Sequence, residues 1–228
     1  MGMRIDVPVA ERHLAGADPV MMRLIREAGP FAMRVDPEDP FLSLLRSIVF
    51  QQLSGKAAGT IFGRVLALFD ARPATPDLPR SDPDWSLDGR RAPDPRAVLA
   101  ATDEDLRAAG LSRQKVASIR DLAAHFASGE LSVQHFDAWE DEEVIAHLTR
   151  VRGIGRWTAE MYLMFHLGRP DVLPVNDVGI NRAIQRLYAL EAPPKPDEVR
   201  GIGQPWRPWA TVACWYLWRS EDVRLVVE

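Results

Sequence analysis

The chain contains a single cysteine, Cys214, among its 228 residues. One thiol cannot form an intramolecular disulfide, and it cannot supply the ligands of a cysteine-based zinc site or of an iron–sulfur cluster. Cys214 lies in an apolar run rich in Trp and Tyr, so we expect it to be a small buried hydrophobic residue. The sequence therefore predicts no cluster held by cysteine.

Long apolar runs and a targeting segment are also lacking. No apolar run reaches the roughly 20 residues that a membrane-spanning helix needs. The N-terminal residues lack the charged-then-apolar pattern of a signal peptide. We therefore expect an intracellular protein without a membrane partner, located in the cytoplasm and nucleoid, or in the nucleus of a eukaryote.

Charge of one sign is not in large excess, because 28 Lys and Arg stand against 32 Asp and Glu, for a net charge of -4. This balance argues against a protein that coats nucleic acid. It does not exclude an enzyme that meets DNA through one face, because only the local field matters there. The length supports one large domain or two small lobes.

The sequence also lacks the patterns of β-strands: it has neither a βαβ pattern nor runs in which apolar and polar residues alternate. Apolar residues recur instead at helical spacing, which predicts an all-α protein of roughly ten short helices. Predicted helices cover 18–28, 41–51 and 55–69, with the first helix of the chain starting near Asp18. Residues 71–97 contain six prolines and no periodicity, which is typical of a surface excursion.

The stretch from 141 to 177 carries the most information about function. Residues 141–151 form one predicted helix, Gly153 and Gly155 turn the chain, and a second helix begins near Arg156. The unpaired amides at the start of that helix can seat an anion, and a nucleic-acid phosphate suits the arginines around it. A lone Gly-x-Gly is more often only a tight turn. A dinucleotide fold would need a preceding strand and further glycines, which the sequence lacks.

Two motifs in this stretch resemble those of a known family. Leu-Thr-Arg-Val-Arg-Gly-Ile-Gly-Arg-Trp-Thr-Ala at 148–159, followed by Leu-Pro-Val-Asn-Asp at 173–177, is similar to the helix–hairpin–helix of the base-excision DNA glycosylases, the superfamily that includes endonuclease III. The resemblance covers roughly 37–220. It implies a two-lobed all-α fold without an N-terminal β-domain. The central lobe would hold 37–175, with the helix–hairpin–helix at about 141–167, and the second lobe would combine 1–36 with 176–228.

The resemblance implies that Asp177 is the catalytic carboxylate. A carboxylate near C1′ of the sugar stabilises the positive charge that develops when an N-glycosidic bond breaks. The plainer interpretation is that Asp177 only caps a helix.

Trp157 stands where strand-cleaving members of the superfamily carry a nucleophilic lysine. A tryptophan there resembles the alkylated-base type, the 3-methyladenine DNA glycosylases II, and it implies a monofunctional enzyme. The resemblance places Trp157, Trp218 and Met161 in the substrate pocket, where a cationic base can stack on tryptophan. Met161 and Arg219 replace aromatic residues of that type, which implies a less aromatic pocket.

Further residues follow from the same resemblance. Either Gln52 or Leu53 would fill the gap left by the extruded base, and the sequence does not decide between them. No cofactor is expected to be required, but hairpin carbonyls could hold a structural Na⁺ or K⁺. The residues implied to contact DNA are Gln52, Leu53, Arg152, Gly153, Gly155, Arg156 and Thr158, and the carbonyls implied for the cation are those of Thr149, Val151 and Ile154.

The resemblance thus implies a monofunctional DNA glycosylase that releases alkylated bases, such as 3-methyladenine and 7-methylguanine, from damaged double-stranded DNA, and we expect it to act as a monomer. One alternative is a glycosylase for mismatched or oxidised bases on the same fold. Another is a helix–hairpin–helix protein that binds DNA without catalysis.

Overall fold

The computed structural model describes residues 5–35, 39–69 and 92–223. These residues contain helices and no strand, which confirms the all-α class. The predicted excursion at 71–97 lies outside the described residues except for 92–97. Short 3₁₀ helices cover Val133–Ala138 and Gln204–Trp206. The α-helices of the described residues are α1 (Val7–Ala17), α2 (Pro19–Glu27), α3 (Pro40–Phe50), α4 (Gly55–Ala67), α5 (Pro95–Ala100), α6 (Asp103–Ala108), α7 (Arg113–Ser128), α8 (Asp141–Leu148), α9 (Arg156–Phe165), α10 (Val178–Leu187), α11 (Pro196–Gly203) and α12 (Ala210–Val223).

Three of these helices begin at an Asp-Pro pair, which explains where they start. The aspartate accepts a hydrogen bond from a backbone amide two or three residues ahead, and proline occupies the first turn, where its missing N–H costs nothing. The caps join Val20 N to Asp18 at 2.8 Å, Leu42 N to Asp39 at 3.1 Å and Arg96 N to Asp94 at 2.8 Å.

The prediction that helical structure starts near Asp18 is wrong, because α1 precedes it. Asp6 caps α1 by accepting a hydrogen bond from Val9 N at 3.1 Å. Ala10 and Leu14, one turn apart, are both fully buried. This spacing places them on one face of the helix, and their burial stabilises α1.

The chain divides into two compact units, which are interleaved in sequence. The first unit comprises Met1–Pro37, Phe136–Ile145 and Arg156–Glu228, and the second comprises Glu38–His135 and Ala146–Gly155. This division differs from the predicted lobes, because residues 136–145 and 156–175, predicted in the central lobe, fall in the first unit.

Packing against α12 explains why 156–175 belong to the first unit. The ring of Phe165 in α9 stacks on Trp218 at 5.9 Å between centroids. The Thr211 hydroxyl donates to Arg169 O at 2.7 Å and accepts from Val172 N at 3.0 Å. The middle and the C-terminal part of this segment therefore pack against the last helix.

A buried carboxylate organises another part of the first unit. Asp18, which caps α2, also accepts hydrogen bonds from the Trp206 indole at 2.8 Å and from the Tyr188 hydroxyl. Burial, with a further contribution from Asp18, raises the pKa of Tyr188. The carboxylate thus joins residues far apart in the chain.

The second unit is built around α7, which packs on α3 and α5. The rings of Phe41 and Phe126 meet edge to face at 5.1 Å, and those of Phe50 and Phe62 do so at 6.0 Å. Such pairs add roughly 0.5–1.5 kcal/mol beyond the area they bury.

Within 5–35, 39–69 and 92–223, no helix combines the length and apolarity needed to cross a membrane.

Candidate functional site

Asp177 lies at the start of α10, where its carboxylate receives three hydrogen bonds. Oδ1 accepts from the backbone amide of Ile180 at 2.8 Å and from the Trp218 indole at 2.9 Å. Oδ2 accepts from the Trp157 indole at 2.7 Å. Asp177 is only 7% exposed, and all three of these partners are donors. An ionised, acceptor-only carboxylate satisfies this arrangement.

The two tryptophans that the sequence placed in one pocket therefore meet at Asp177. Trp157 is the second residue of α9 and is 46% exposed, while Trp218 in α12 is half-buried against Phe165. The resemblance implied that they are walls for a base, but it did not imply that their N–H groups hold the carboxylate. Met161 lies one turn after Trp157 and is half-buried.

Gly179, in the first turn of α10, is a residue of this site that the sequence did not indicate. A Cβ at this position would lie 3.0 Å from Trp218 Cδ1 and 3.2 Å from Asp177 Oδ1. The missing side chain lets the Trp218 indole approach the carboxylate. A glycine inside a helix, directly after the predicted catalytic motif, was the signal for such a close approach.

Burial also affects the pKa of two other ionisable groups of the first unit, Glu160 and Cys214. Burial raises the pKa of Glu160, which is partly offset by its hydrogen bond from Arg156. Burial also raises the pKa of the Cys214 thiol, and Asp177 adds to the effect. The buried thiol of Cys214 therefore stays protonated. It is not a nucleophile, because a nucleophilic cysteine needs the thiolate form.

Arg156, predicted to contact DNA, is engaged by two carboxylates. Its guanidinium donates to Glu160 at 3.0 Å and to both oxygens of Glu142, at 2.9 Å for the Nη1–Oε2 contact. Glu160 is buried, so this pairing offsets the cost of burying its charge. A phosphate contact by the Arg156 side chain would compete with Glu142.

Thr158, also predicted to contact DNA, is a buried residue of α9. Its side chain does not face solvent. Its backbone amide belongs to the first turn of α9, the end of a helix at which the dipole favours an anion, so a contact with phosphate would involve the backbone and not the side chain.

The hairpin turn belongs to the second unit and contains Gly153 in a left-handed conformation, with φ of 83°. A Cβ on Gly153 would lie 2.5 Å from the Ser118 hydroxyl oxygen. The preceding amide, Arg152 N, donates to Asp121 Oδ2 at 2.7 Å. The turn therefore packs against α7. Gly153 and Gly155 are nevertheless both exposed.

The carbonyls predicted for a cation lie in this turn. Val151 O accepts from Ile154 N at 3.1 Å, which leaves its second lone pair for another partner. Thr149 is exposed, and its hydroxyl donates to Ala146 O at 3.3 Å. In the part of the chain that the structure describes, no group of three or more His, Cys, Asp and Glu side chains could hold a metal ion.

The predicted plug residues lie between α3 and α4, also in the second unit. Gln52 adopts a left-handed conformation with φ of 58°, and Leu53 is 39% exposed. Both side chains face solvent, while that of the preceding residue, Gln51, is half-buried. The structure thus leaves the choice between Gln52 and Leu53 open.

A model of the HhH-GPD superfamily of base excision DNA repair proteins matches residues 45–208. The chain is 32% identical over 217 residues to DNA-3-methyladenine glycosylase 1 of Schizosaccharomyces pombe, an alignment that covers 94% of this chain and 87% of that protein. The solved structure of a DNA-3-methyladenine glycosidase from Bacillus halodurans is similar with a TM-score of 0.76 and 36% identity, over 96% of this chain and 91% of that one. The S. pombe 3-methyladenine DNA glycosylase in complex with abasic DNA has a TM-score of 0.78 and 31% identity, over 96% of this chain and 100% of that one.

Proposed function

The chain belongs to the HhH-GPD superfamily of base excision DNA repair proteins, and we propose that it is a monofunctional glycosylase that releases alkylated bases from double-stranded DNA. The carboxylate of Asp177, held by two indole N–H groups and one backbone amide, carries this proposal. Its relatives, which include glycosylases named for 3-methyladenine, support the substrate class.

DNA must be deformed before such chemistry can begin. A base inside a duplex is inaccessible, so the enzyme extrudes the nucleotide and fills the gap. The exposed hairpin supplies backbone amides for a phosphate. Phosphate contacts carry no sequence information, which suits an enzyme that must act wherever damage occurs.

Asp177 supplies the chemistry. Breaking the N-glycosidic bond moves the bond's electron pair to the departing base and leaves positive charge on the sugar. The ionised carboxylate stabilises that charge and can orient the attacking water. Because Asp177 is fixed by donors on both oxygens, it needs little reorganisation as the charge develops.

The absence of an amine at position 157 supports release of the base without strand cleavage. A Schiff base with C1′ requires a nucleophilic lysine, and Trp157 occupies that position. Arg156 cannot replace it, because a guanidinium stays protonated. The exposed ring of Trp157 can stack on a cationic alkylated base, a contact on the order of 0.5–2 kcal/mol.

Two finer features complete the proposal. Carbonyls of Thr149, Val151 and Ile154 would hold Na⁺ or K⁺ beside a bound phosphate, since a carbonyl oxygen has two lone pairs and can accept one hydrogen bond while a second lone pair faces a cation. Duplex binding that is indifferent to replacement of these ions by a bulky organic cation would contradict this. The enzyme would act as a monomer, so sedimentation of the free protein as a dimer would contradict that feature.

Base release from methylated duplex DNA tests the main proposal. We expect free 3-methyladenine or 7-methylguanine, with strand breaks only after alkali. Strand breaks without alkali would contradict the argument from Trp157. Release confined to mismatched or oxidised bases would make the protein a glycosylase for those lesions. Binding without any release would make it a helix–hairpin–helix protein that binds DNA without catalysis.

Replacing Gly179 by alanine should reduce base release roughly tenfold, because a shift of a few tenths of an ångström at Trp218 or Asp177 misplaces the carboxylate. The free energy of unfolding should change little, since the alanine gains roughly 0.5–1 kcal/mol of helix propensity against the crowding. Single-turnover rates and thermal denaturation measure the two effects.

Gly201→Ala is the matched control for this variant. Gly201 is also helical, but a Cβ there would meet nothing within 4 Å. The control should keep the wild-type rate. Equal rates in all three proteins would show that the close approach at Gly179 does not position Asp177.

A further inference from the structure

In the loop between α3 and α4, the first residue is half-buried and the three that follow are exposed. Gln52 and Leu53 are exposed, and the left-handed backbone of Gln52 gives the loop a conformation that few non-glycine residues adopt. Gln51 is half-buried, and its side-chain amide donates to Gly153 O at 2.8 Å across 102 positions of sequence. The loop is thus joined directly to the hairpin turn.

Three side chains on one face of α7 support both ends of this connection. The Lys115 ammonium donates to Val49 O at 2.6 Å and to Gln51 O at 2.8 Å, at the C-terminus of α3. A cation there also complements the helix dipole. Ser118 packs under Gly153, and Asp121 accepts from Arg152 N at 2.7 Å. Residues three apart on a helix are neighbours, so one helix face holds the loop and the hairpin together.

Lys115 has little capacity left for a phosphate. Its ammonium has three donors, and two of them serve the carbonyls of Val49 and Gln51. Burial lowers the pKa of Lys115, which further argues for a structural partner to the loop in preference to a DNA contact.

We propose that Gln51 is a positioning residue, which fixes the exposed Gln52–Leu53 pair relative to the hairpin so that the plug enters the duplex at a set distance from the anchored phosphate. The proposal rests on the proposed function, because only an enzyme that extrudes a base needs a plug. Gln51 itself touches the protein backbone and need not touch DNA. Its amide is required as a donor, since a backbone carbonyl can only accept.

This role predicts a loss confined to duplex DNA. An extruded base leaves a gap only in a duplex, so a misplaced plug impairs extrusion there and leaves the chemistry on a single strand unchanged. A residue needed merely for folding would impair both substrates together. The ratio of duplex to single-strand activity therefore separates positioning from structure.

Gln51→Met tests the proposal, because methionine keeps the length of the side chain and removes the donor. We expect base release from methylated duplex to fall roughly 3- to 10-fold, the effect of one neutral hydrogen bond, with single-strand release nearly unchanged and the melting temperature lowered by about 2–4 °C at most. Gln134→Met is the matched control, since Gln134 is an exposed glutamine of the same unit. Equal losses on both substrates, or no loss on duplex, would overturn the proposal.

A readout without catalysis keeps this result distinct from a failure of the proposed function. A duplex with 2-aminopurine beside an abasic site reports plug insertion through unstacking of the fluorescent base. Wild type should change the fluorescence on binding, and Gln51→Met should bind through the hairpin with a smaller change. Identical fluorescence changes in the two proteins, or no change with wild type, would overturn the positioning role even if wild type releases alkylated bases. Failure of wild type to release any base, with the fluorescence difference intact, would count against the glycosylase proposal alone.

Discussion

Replacing Asp177 by asparagine should slow base release by about 10²–10³-fold while affinity for duplex DNA is retained. An ionised carboxylate stabilises the positive charge that develops on the sugar, and a neutral amide does not. Asparagine caps a helix about as well as aspartate, so the bond from Ile180 N, 2.8 Å long in the wild-type protein, can persist. Single-turnover rates on methylated duplex, with affinity measured separately on abasic duplex, check the expectation.

The amide also disturbs the indoles, and this structural effect must be separated from catalysis. Trp157 and Trp218 both donate to the carboxylate, so the NH₂ group of an asparagine would face one of these N–H donors. An unsatisfied buried donor costs about 1–3 kcal/mol. Part of any lost activity could therefore come from a shifted tryptophan.

Asp18 provides a matched control for that effect. It is also a helix cap, is 7% exposed like Asp177, and accepts a hydrogen bond from the Trp206 indole. Asp18→Asn should lower the free energy of unfolding by about as much as Asp177→Asn does. It should keep the wild-type rate of base release per folded molecule. Equal rate losses in both variants would assign the Asp177 effect to packing and contradict its catalytic role.

Features that depend on neighbouring residues were predictable from the sequence. Asp18 is followed by proline, and it caps the helix predicted at 18–28. Asp177 caps α10 with the simple bond to Ile180 N that its sequence position suggests. Caps and periodicity are local properties, so the sequence states them directly. The family resemblance added the further expectation that Trp157 and Trp218 share a pocket with this carboxylate.

Features that depend on distant residues were not predictable in the same way. The partner of Gln51 lies 102 positions away, and the arginine predicted to contact DNA, Arg156, is paired with Glu142 and Glu160. Residues 156–175 belong to the first unit because they pack on α12. No pattern within that segment reveals this packing. Hydrophobic spacing identifies the buried face of a helix but does not identify the helix that covers it.

Replacing Gly153 by alanine should lower the free energy of unfolding by about 2–4 kcal/mol, the largest stability effect expected in the hairpin. Its φ of 83° is unfavourable for a residue with a side chain. The added Cβ would also lie 2.5 Å from the Ser118 hydroxyl oxygen and 3.0 Å from Ser118 Cβ. Denaturant unfolding measures the loss, and a second change, Ser118→Ala, should recover only the part that comes from contact with the hydroxyl.

Gly155→Ala separates the fold of the hairpin from its use. A Cβ on Gly155 would meet nothing within 4 Å, so the free energy of unfolding should stay within about 0.5 kcal/mol of wild type. The new methyl group would project from an exposed residue of the turn, where a phosphate must approach the backbone closely, and affinity for duplex DNA should fall roughly tenfold, about the worth of one charge-assisted hydrogen bond. Unchanged affinity in a stable Gly155→Ala protein would contradict phosphate binding at this turn, because the alanine leaves the fold intact and alters only the surface that the phosphate would occupy.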